Sequence, residues 1–148
     1  MKIAIGSDHR GFEAKQRIRL MLQQAGHEVV DFGTHSRDSV DYPDFAFPAA
    51  LAVAGGDCER GVLVDCTGLG VCIAANKVHG IRAALCHDRI TTEMSRRHND
   101  ANVLCLSAEL LGPDLTEDLV RLWLETPFDG GRHARRVEKI ARFEEGKE

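Results

Sequence analysis

Aromatic residues make up only 5% of the 148 positions, with one tryptophan and one tyrosine, and there are only four prolines. No apolar run approaches the ~18 residues of a membrane span, because charge or glycine interrupts each one, so no membrane association is expected. Met1-Lys2 passes straight into a short apolar segment, so no leader is expected either. An excess of positive charge is also missing. Lys and Arg total 19 against 23 Asp and Glu, and a net charge of -4 offers no basic footprint for nucleic acid or an anionic bilayer. The five cysteines (Cys58, Cys66, Cys72, Cys86, Cys105) are odd in number and contain no C-x-x-C pair, which argues against a disulfide framework and a zinc knuckle. A cytoplasmic protein with reduced thiols is expected, with Cys86 and Cys105, each ending an apolar run, as small core residues. Internal repeats, linkers and low-complexity segments are lacking too.

What is present fits one soluble domain of residues 1-148, 43% hydrophobic and 28% charged. Lys2 to Gly6 reads as a strand, followed by a helix from Phe12 to Ala25 that Gly26 stops. His27 to Phe32 reads as a second strand, and Gly33 to Asp41 as a loop leading to Tyr42-Pro43 and an alanine-rich helix, Asp44 to Ala54. Gly61 to Val64 is continuously apolar, as a strand buried on both faces should be. A helix at Val71 to Lys77, a strand at Ile81 to Cys86, a helix from Asp88 to Arg97 and a strand at Asn102 to Leu106 follow. A helix opening at Pro113 ends before Pro127, and a basic helix starts near residue 131, with a tail expected to fray over about 144-148. Alternating strands and helices predict a three-layer, Rossmann-like α/β fold with a parallel sheet of about five strands. Ligands of such sheets bind beyond the carboxyl ends of the strands.

The residues after each strand are therefore the candidates. Ser7-Asp8-His9-Arg10-Gly11 lacks the dinucleotide fingerprint; Asp8 and His9 either order a sugar hydroxyl and an anionic group, or Asp8 caps the first helix. Cys66-Thr67-Gly68-Leu69-Gly70 brings backbone N-H groups and a hydroxyl to a helix start, which makes either an anion hole or merely a tight turn. His98 is either an acid-base group or a dipole-stabilising helix end. Arg132 and Arg136, one turn apart, form a phosphate clamp or an ordinary solvated face.

Together these segments resemble the type B ribose-5-phosphate isomerase family, which includes the galactose-6-phosphate isomerase subunits. The shared motifs are G-S-D-H-x-G-F at Gly6 to Phe12, D-Y-P at Asp41 to Pro43, A-L-A-V-A-G-G at Ala50 to Gly56, and T-G-L-G with A-A-N-K at Thr67 to Lys77. G-I-R-A-A at Gly80 to Ala84, R-H-N-D-A-N-V at Arg97 to Val103 and G-G-R-H-x-x-R-V at Gly130 to Val137 complete the set. The resemblance implies no metal and no cofactor, a homodimer or homotetramer, and active sites built from two subunits. It implies that His98 opens the sugar ring, that Asp8, His9, Tyr42 and Asn99 contact substrate, and that Arg132 and Arg136 bind its phosphate. Thr67, Gly68 and Gly70 would hold an enediolate. The implied reaction is aldose-ketose isomerisation of ribose 5-phosphate or a related C4 to C6 sugar phosphate, with proton transfer from C2 to C1. Because His98 and the arginine pair lie on different elements, they are candidates to act from different chains.

Two departures bear on this reading. Family members commonly carry C-G-T-G after the third strand, whereas Asp65 stands here at the cysteine's place and Cys66 one residue later. The base is therefore Asp65 or Cys66, with the carboxylate, ionised at neutral pH, preferred. A glutamate used by another branch is Val71 here, and Glu109 stands where an arginine is usual near the phosphate. Glu109 is expected to face away or to meet a hydroxyl, with ribose 5-phosphate not the best substrate. The alternative is a catalytically silent sugar-phosphate-binding subunit of the same fold.

Overall fold

Ile3, Ile5, Val62, Val64, Leu104 and Leu106 are wholly buried, and so are the residues between them, Ala4, Leu63 and Cys105. Strands with no exposed alternate face must be covered on both sides. In the computed structural model, which describes residues 1-147, they are β1 (Lys2–Ser7), β3 (Arg60–Asp65) and β5 (Val103–Ser107), flanked by β2 (Glu28–Asp31) and β4 (Ala83–Leu85). All pairings are parallel, in the order β2-β1-β3-β5-β4. The helices are α1 (Phe12–Gln24), α2 (Pro43–Ala54), α3 (Leu69–Ala75), α4 (Arg89–Arg97), α5 (Pro113–Glu125) and α6 (Arg132–Glu144).

Alternate strand residues feed two cores. Ile3, Ile5, Val62, Val64, Leu104 and Leu106 meet Ile18 and Leu22 of α1 and Leu119 and Trp123 of α5. Ala4, Leu63 and Cys105 meet Ala46, Ala49 and Ala50 of α2 and Ala74 and Ala75 of α3, small residues that let these helices lie close to the sheet. The three layers expected from the sequence are thus present. Lys15, with no exposed surface, donates to both carboxylate oxygens of Asp31 at 2.7 Å and ties α1 to β2.

Most boundaries agree with the periodicity within a residue or two, and the differences have local causes. β4 is shorter than 81-86 because Arg82 turns its N-H to the Asn102 side chain and Cys86 alone follows onto β5. α3 begins at Leu69, before Val71, because Asp65 accepts the N-H groups of Gly68, just before the helix, and of Val71 in its first turn. Beyond Glu144, Gly146 and Lys147 close α6 through N-H bonds to Phe143 and Arg142; Glu148, the end of the expected tail, lies outside the described residues.

The strand order reverses direction between β1 and β3, so the crevice for a ligand lies at their carboxyl ends, where Asp8 and Asp65 emerge. The helices run back the other way. α4 therefore delivers the residue that caps its C-terminus, His98, to the amino edge, where the Asn102 carbonyl accepts the N-H of Gly61 at the start of β3. From Gly61 to Asp65 the sheet extends about 13 Å at ~3.3 Å per residue.

Candidate active site

At the carboxyl edge, Asp8 follows β1 and is nearly buried. It is not a helix cap. Gly11 holds that position, and Asp8 Oδ1 instead accepts the N-H groups of Arg10 (2.9 Å) and Gly11 (3.0 Å), closing the turn on itself. Gly11 is required because a Cβ there would run into the backbone carbonyl of Val64. His9 Nδ1 accepts the N-H of Val40 at 3.2 Å, which joins this turn to the approach to α2.

Asp65, the last residue of β3, sits beneath the loop that follows it. Its Oδ1 accepts the N-H of Gly68 and its Oδ2 that of Val71, the latter at 3.1 Å. Burial pushes the Asp65 carboxyl above its ordinary range and outweighs those hydrogen bonds, with the nearby charge of Asp8 adding to the rise. Gly68 adopts φ +81°, and a side chain there would strike Leu85. A Cβ on Gly70 would lie 2.8 Å from the Tyr42 ring and 3.0 Å from Asp65 Oδ2, so Tyr42, Gly70 and the carboxylate stand in one cluster. Thr67 is exposed above it, its hydroxyl accepting the N-H of Leu69 at 3.3 Å. Cys66 is half-buried, and its carbonyl accepts both the Ser107 hydroxyl (2.7 Å) and the Glu109 N-H (3.1 Å). Ala108 likewise donates to the Asp65 carbonyl at 2.9 Å, so the turn after β5 props the whole loop.

The other expected site residues gather at the amino edge. His98 caps the end of α4 and stacks on His133 of α6, ring centroids 4.1 Å apart and planes within 7°. Burial lowers the pKa of His133, and the neighbouring His98, Arg132 and Arg136 lower it further. Asp129 stands beside both rings, held by Arg97 at 3.2 Å, which keeps its carboxyl below the usual range. Arg132 and Arg136 are exposed on the first turns of α6, next to this stack, and exposed Asn99 follows His98. His98 and the arginine pair thus share one edge of one chain, which corrects the expectation that they act from different chains. Nor does His98 face the 66-70 loop of its own chain.

His98, Asp129 and His133 bring metal-type donor atoms within 4.8 Å of one another. Because the two rings are parallel, their in-plane lone pairs run side by side instead of converging on one ion.

Three features escaped the sequence reading. His133 lay within the G-G-R-H motif but was given no role of its own. Cys72, beside Cys105, has its thiol pKa drawn down to about 7 by the hydrogen bond between the two, whereas burial drives that of Cys105 up. Glu109 neither faces away nor waits for a hydroxyl: Arg10 Nη2 lies 3.3 Å from both of its carboxylate oxygens. A cation three residues after Ser7 was visible, but nothing local linked it to position 109.

The model of the Ribose/Galactose Isomerase family matches residues 3–140 of the chain. Ribose-5-phosphate isomerase B of Escherichia coli is 46% identical over 144 residues, 97% of each chain. The D-erythrulose-4-phosphate isomerase of Pectobacterium atrosepticum is 41% identical over 145 residues, 97% of this chain and 95% of that one. The solved structure of Clostridium thermocellum ribose-5-phosphate isomerase B superposes with a TM-score of 0.97 at 53% identity, covering 99% of both chains.

Proposed function

We infer that this chain, which belongs to the ribose/galactose isomerase family and is an aldose-ketose isomerase of sugar phosphates, works through a site shared by two copies of itself. The observation that carries this is the separation of the two residue groups. Asp8, Asp65 and the 66-70 loop occupy the carboxyl edge of the sheet, whereas His98, Asn99, Arg132 and Arg136 occupy the amino edge. A sugar phosphate spans less than the height of the sheet, so one chain alone cannot present both sets to it. A second copy, placed with its amino edge over the first copy's carboxyl edge, completes the set twice, as a two-fold axis requires.

The surface suits such a pairing. Leu69 and Ile73, one turn apart on α3, are 55% and 59% exposed, and Leu110 after β5 is 68% exposed. On α6 the positions 132, 136, 140 and 143 share one face, which begins with the two arginines and ends with Ile140 and Phe143, exposed at 55% and 84%. An apolar face that carries cations at its start fits an apolar rim around an anionic substrate.

In the resulting mechanism, His98 of one copy passes a proton to the ring oxygen as the C1–O bond breaks and the anomeric hydroxyl loses its own proton, leaving the C1 aldehyde. Arg132 and Arg136 of that same copy grip the phosphate with charge-assisted bonds. Asp65 of the other copy takes the proton from C2. Burial suits it to this role, because a carboxyl raised above its ordinary range is a stronger base for a proton next to a carbonyl. The N-H of Gly70 and the Thr67 hydroxyl stabilise the enediolate oxygen, while Gly68 and Val71 spend their N-H groups on Asp65. Asp8, His9 and Tyr42 border the sugar, and the proton returns to C1 while the proton of the C2 hydroxyl passes to O1, which leaves the ketose. None of these steps calls for a metal or a cofactor.

The full-length relatives favour an enzyme over a silent subunit. No helix among the described residues is long and apolar enough to cross a membrane, and with five free cysteines we place the protein in the cytoplasm, without nucleic-acid partners. The assay is a panel of C4 to C6 aldose phosphates, unphosphorylated sugars and uronates, with ketose formation followed. Turnover confined to phosphorylated aldoses is the expected result. Turnover of none of them, or an equal rate on unphosphorylated sugars, contradicts the reading.

A further inference from the structure

Arg10 and Glu109 reach across the mouth of the carboxyl-edge site from two different loops. The Arg10 backbone is fixed by Asp8, whose Oδ1 accepts its N-H at 2.9 Å. The Glu109 backbone is fixed from the other side by its N-H bond to the Cys66 carbonyl at 3.1 Å. Between them the guanidinium meets the carboxylate. Only Nη2 is engaged, at 3.3 Å from each carboxylate oxygen; among the described residues Nε and Nη1 have no acceptor.

The pair is poorly placed to be a stability device, since its side chains are 53% and 61% exposed, and exposed ion pairs contribute little. Its surroundings suggest another task. The carboxyl edge of one chain gathers Asp8, Asp65 and Glu109, the first two buried and the last exposed, so an anionic substrate enters a region rich in carboxylates. Arg10 is a cation that this chain places beside one of them, Glu109. Its fork has two donating positions left over, enough to take a phosphate or sugar oxygen without leaving Glu109.

We propose that Arg10 is a substrate-binding residue supplied by the chain that carries Asp65, and that Glu109 is its tether, which aims the guanidinium and tempers its grip on the anion. This deepens the isomerase reading and rests on it. The resulting arrangement is asymmetric: Arg132 and Arg136 hold the anion from one copy, and a partly neutralised cation meets it from the other. A tethered cation costs little conformational freedom on binding, and a tempered one releases product readily.

The two variants Arg10→Ala and Glu109→Gln have opposite expected signs. Loss of Arg10 raises KM for the best sugar phosphate of the panel, and the Ki of inorganic phosphate, by roughly tenfold, the scale of one charge-assisted hydrogen bond, while kcat moves far less. Removing the Glu109 charge lowers the phosphate Ki several-fold, because the freed guanidinium grips harder. Arg10→Lys, which keeps the charge and loses the fork, falls between Arg10→Ala and the wild type. Thermal midpoints within a few degrees of wild type establish that each variant is folded; should one fall further, phosphate affinity is read by calorimetry at a temperature where it is folded. Shifts of KM and Ki below twofold for Arg10→Ala, or shifts of the same sign for Arg10→Ala and Glu109→Gln, overturn the proposal. If the wild type isomerises no sugar phosphate, it is the isomerase reading that fails, and calorimetric titration with inorganic phosphate still reads the role of Arg10.

Discussion

His98 and His133 lie face to face, with ring centroids 4.1 Å apart and planes inclined by 7°. Two imidazolium ions cannot share that arrangement cheaply, and Asp129, Arg97, Arg132 and Arg136 complete the charged surroundings. Burial first, and then the neighbouring His98, Arg132 and Arg136, lower the pKa of His133. Its native pKa lies below the ordinary value of 6.5, so the unfolded chain binds more protons than the native one as the solution is acidified. Stability from this group is therefore complete above about pH 6.5 and is lost as pH falls through the native value. Thermal midpoints measured from pH 8 to pH 5 should decline in the wild type and decline less in His133→Phe, which keeps the stack without the charge. Equal slopes in the two proteins would refute this.

The ring-opening role proposed for His98 can be separated from proton transfer by the choice of substrate. An aldotetrose phosphorylated at its terminal oxygen has no hydroxyl left to close a five-membered ring, so it needs no opening. His98→Ala should then lose on the order of 10²-fold or more in kcat/KM with ribose 5-phosphate, as expected for loss of general acid-base catalysis, and less than about tenfold with the tetrose phosphate. Equal losses on both would assign His98 to some other step.

Asp65 and Cys66 make different predictions as the base. With Asp65, Asp65→Asn should lower kcat by about 10²-fold or more, whereas Cys66→Ala keeps most of it. The acid limb of kcat/KM should also fall at a pH above the ordinary aspartate value of 3.8, because burial raises the Asp65 pKa. Full activity in Asp65→Asn together with loss in Cys66→Ala would transfer the role to the thiol.

Much of this could be read from the chain, and the parts that could not share a cause. β1, β3 and β5 were legible because burial on both faces leaves unbroken apolar runs, and the 66-70 loop because its glycines are demanded by Leu85, Tyr42 and the φ of Gly68. β4 was overestimated because Ile81 and Cys86 are apolar and buried although neither is in the strand. What no local pattern carried was direction. A histidine after a helix and a glycine loop after a strand look like neighbours in a list of motifs, yet helices return to the amino edge and strands end at the carboxyl edge. The Arg10 and Glu109 pair was hidden for the same reason, since 99 residues separate two side chains that the parallel sheet brings together.

The claim that the site is shared between two copies has a direct measurement. Asp65→Asn and His98→Ala homodimers, each inactive on ribose 5-phosphate, are mixed in equal amounts under conditions of verified subunit exchange. In a hybrid dimer one site receives both lesions and the other receives intact Asp65 and intact His98. Half of the dimers are hybrids, so about a quarter of wild-type activity should return. A mixture that stays as inactive as its components after exchange would contradict the shared site and require both residues to act within one chain.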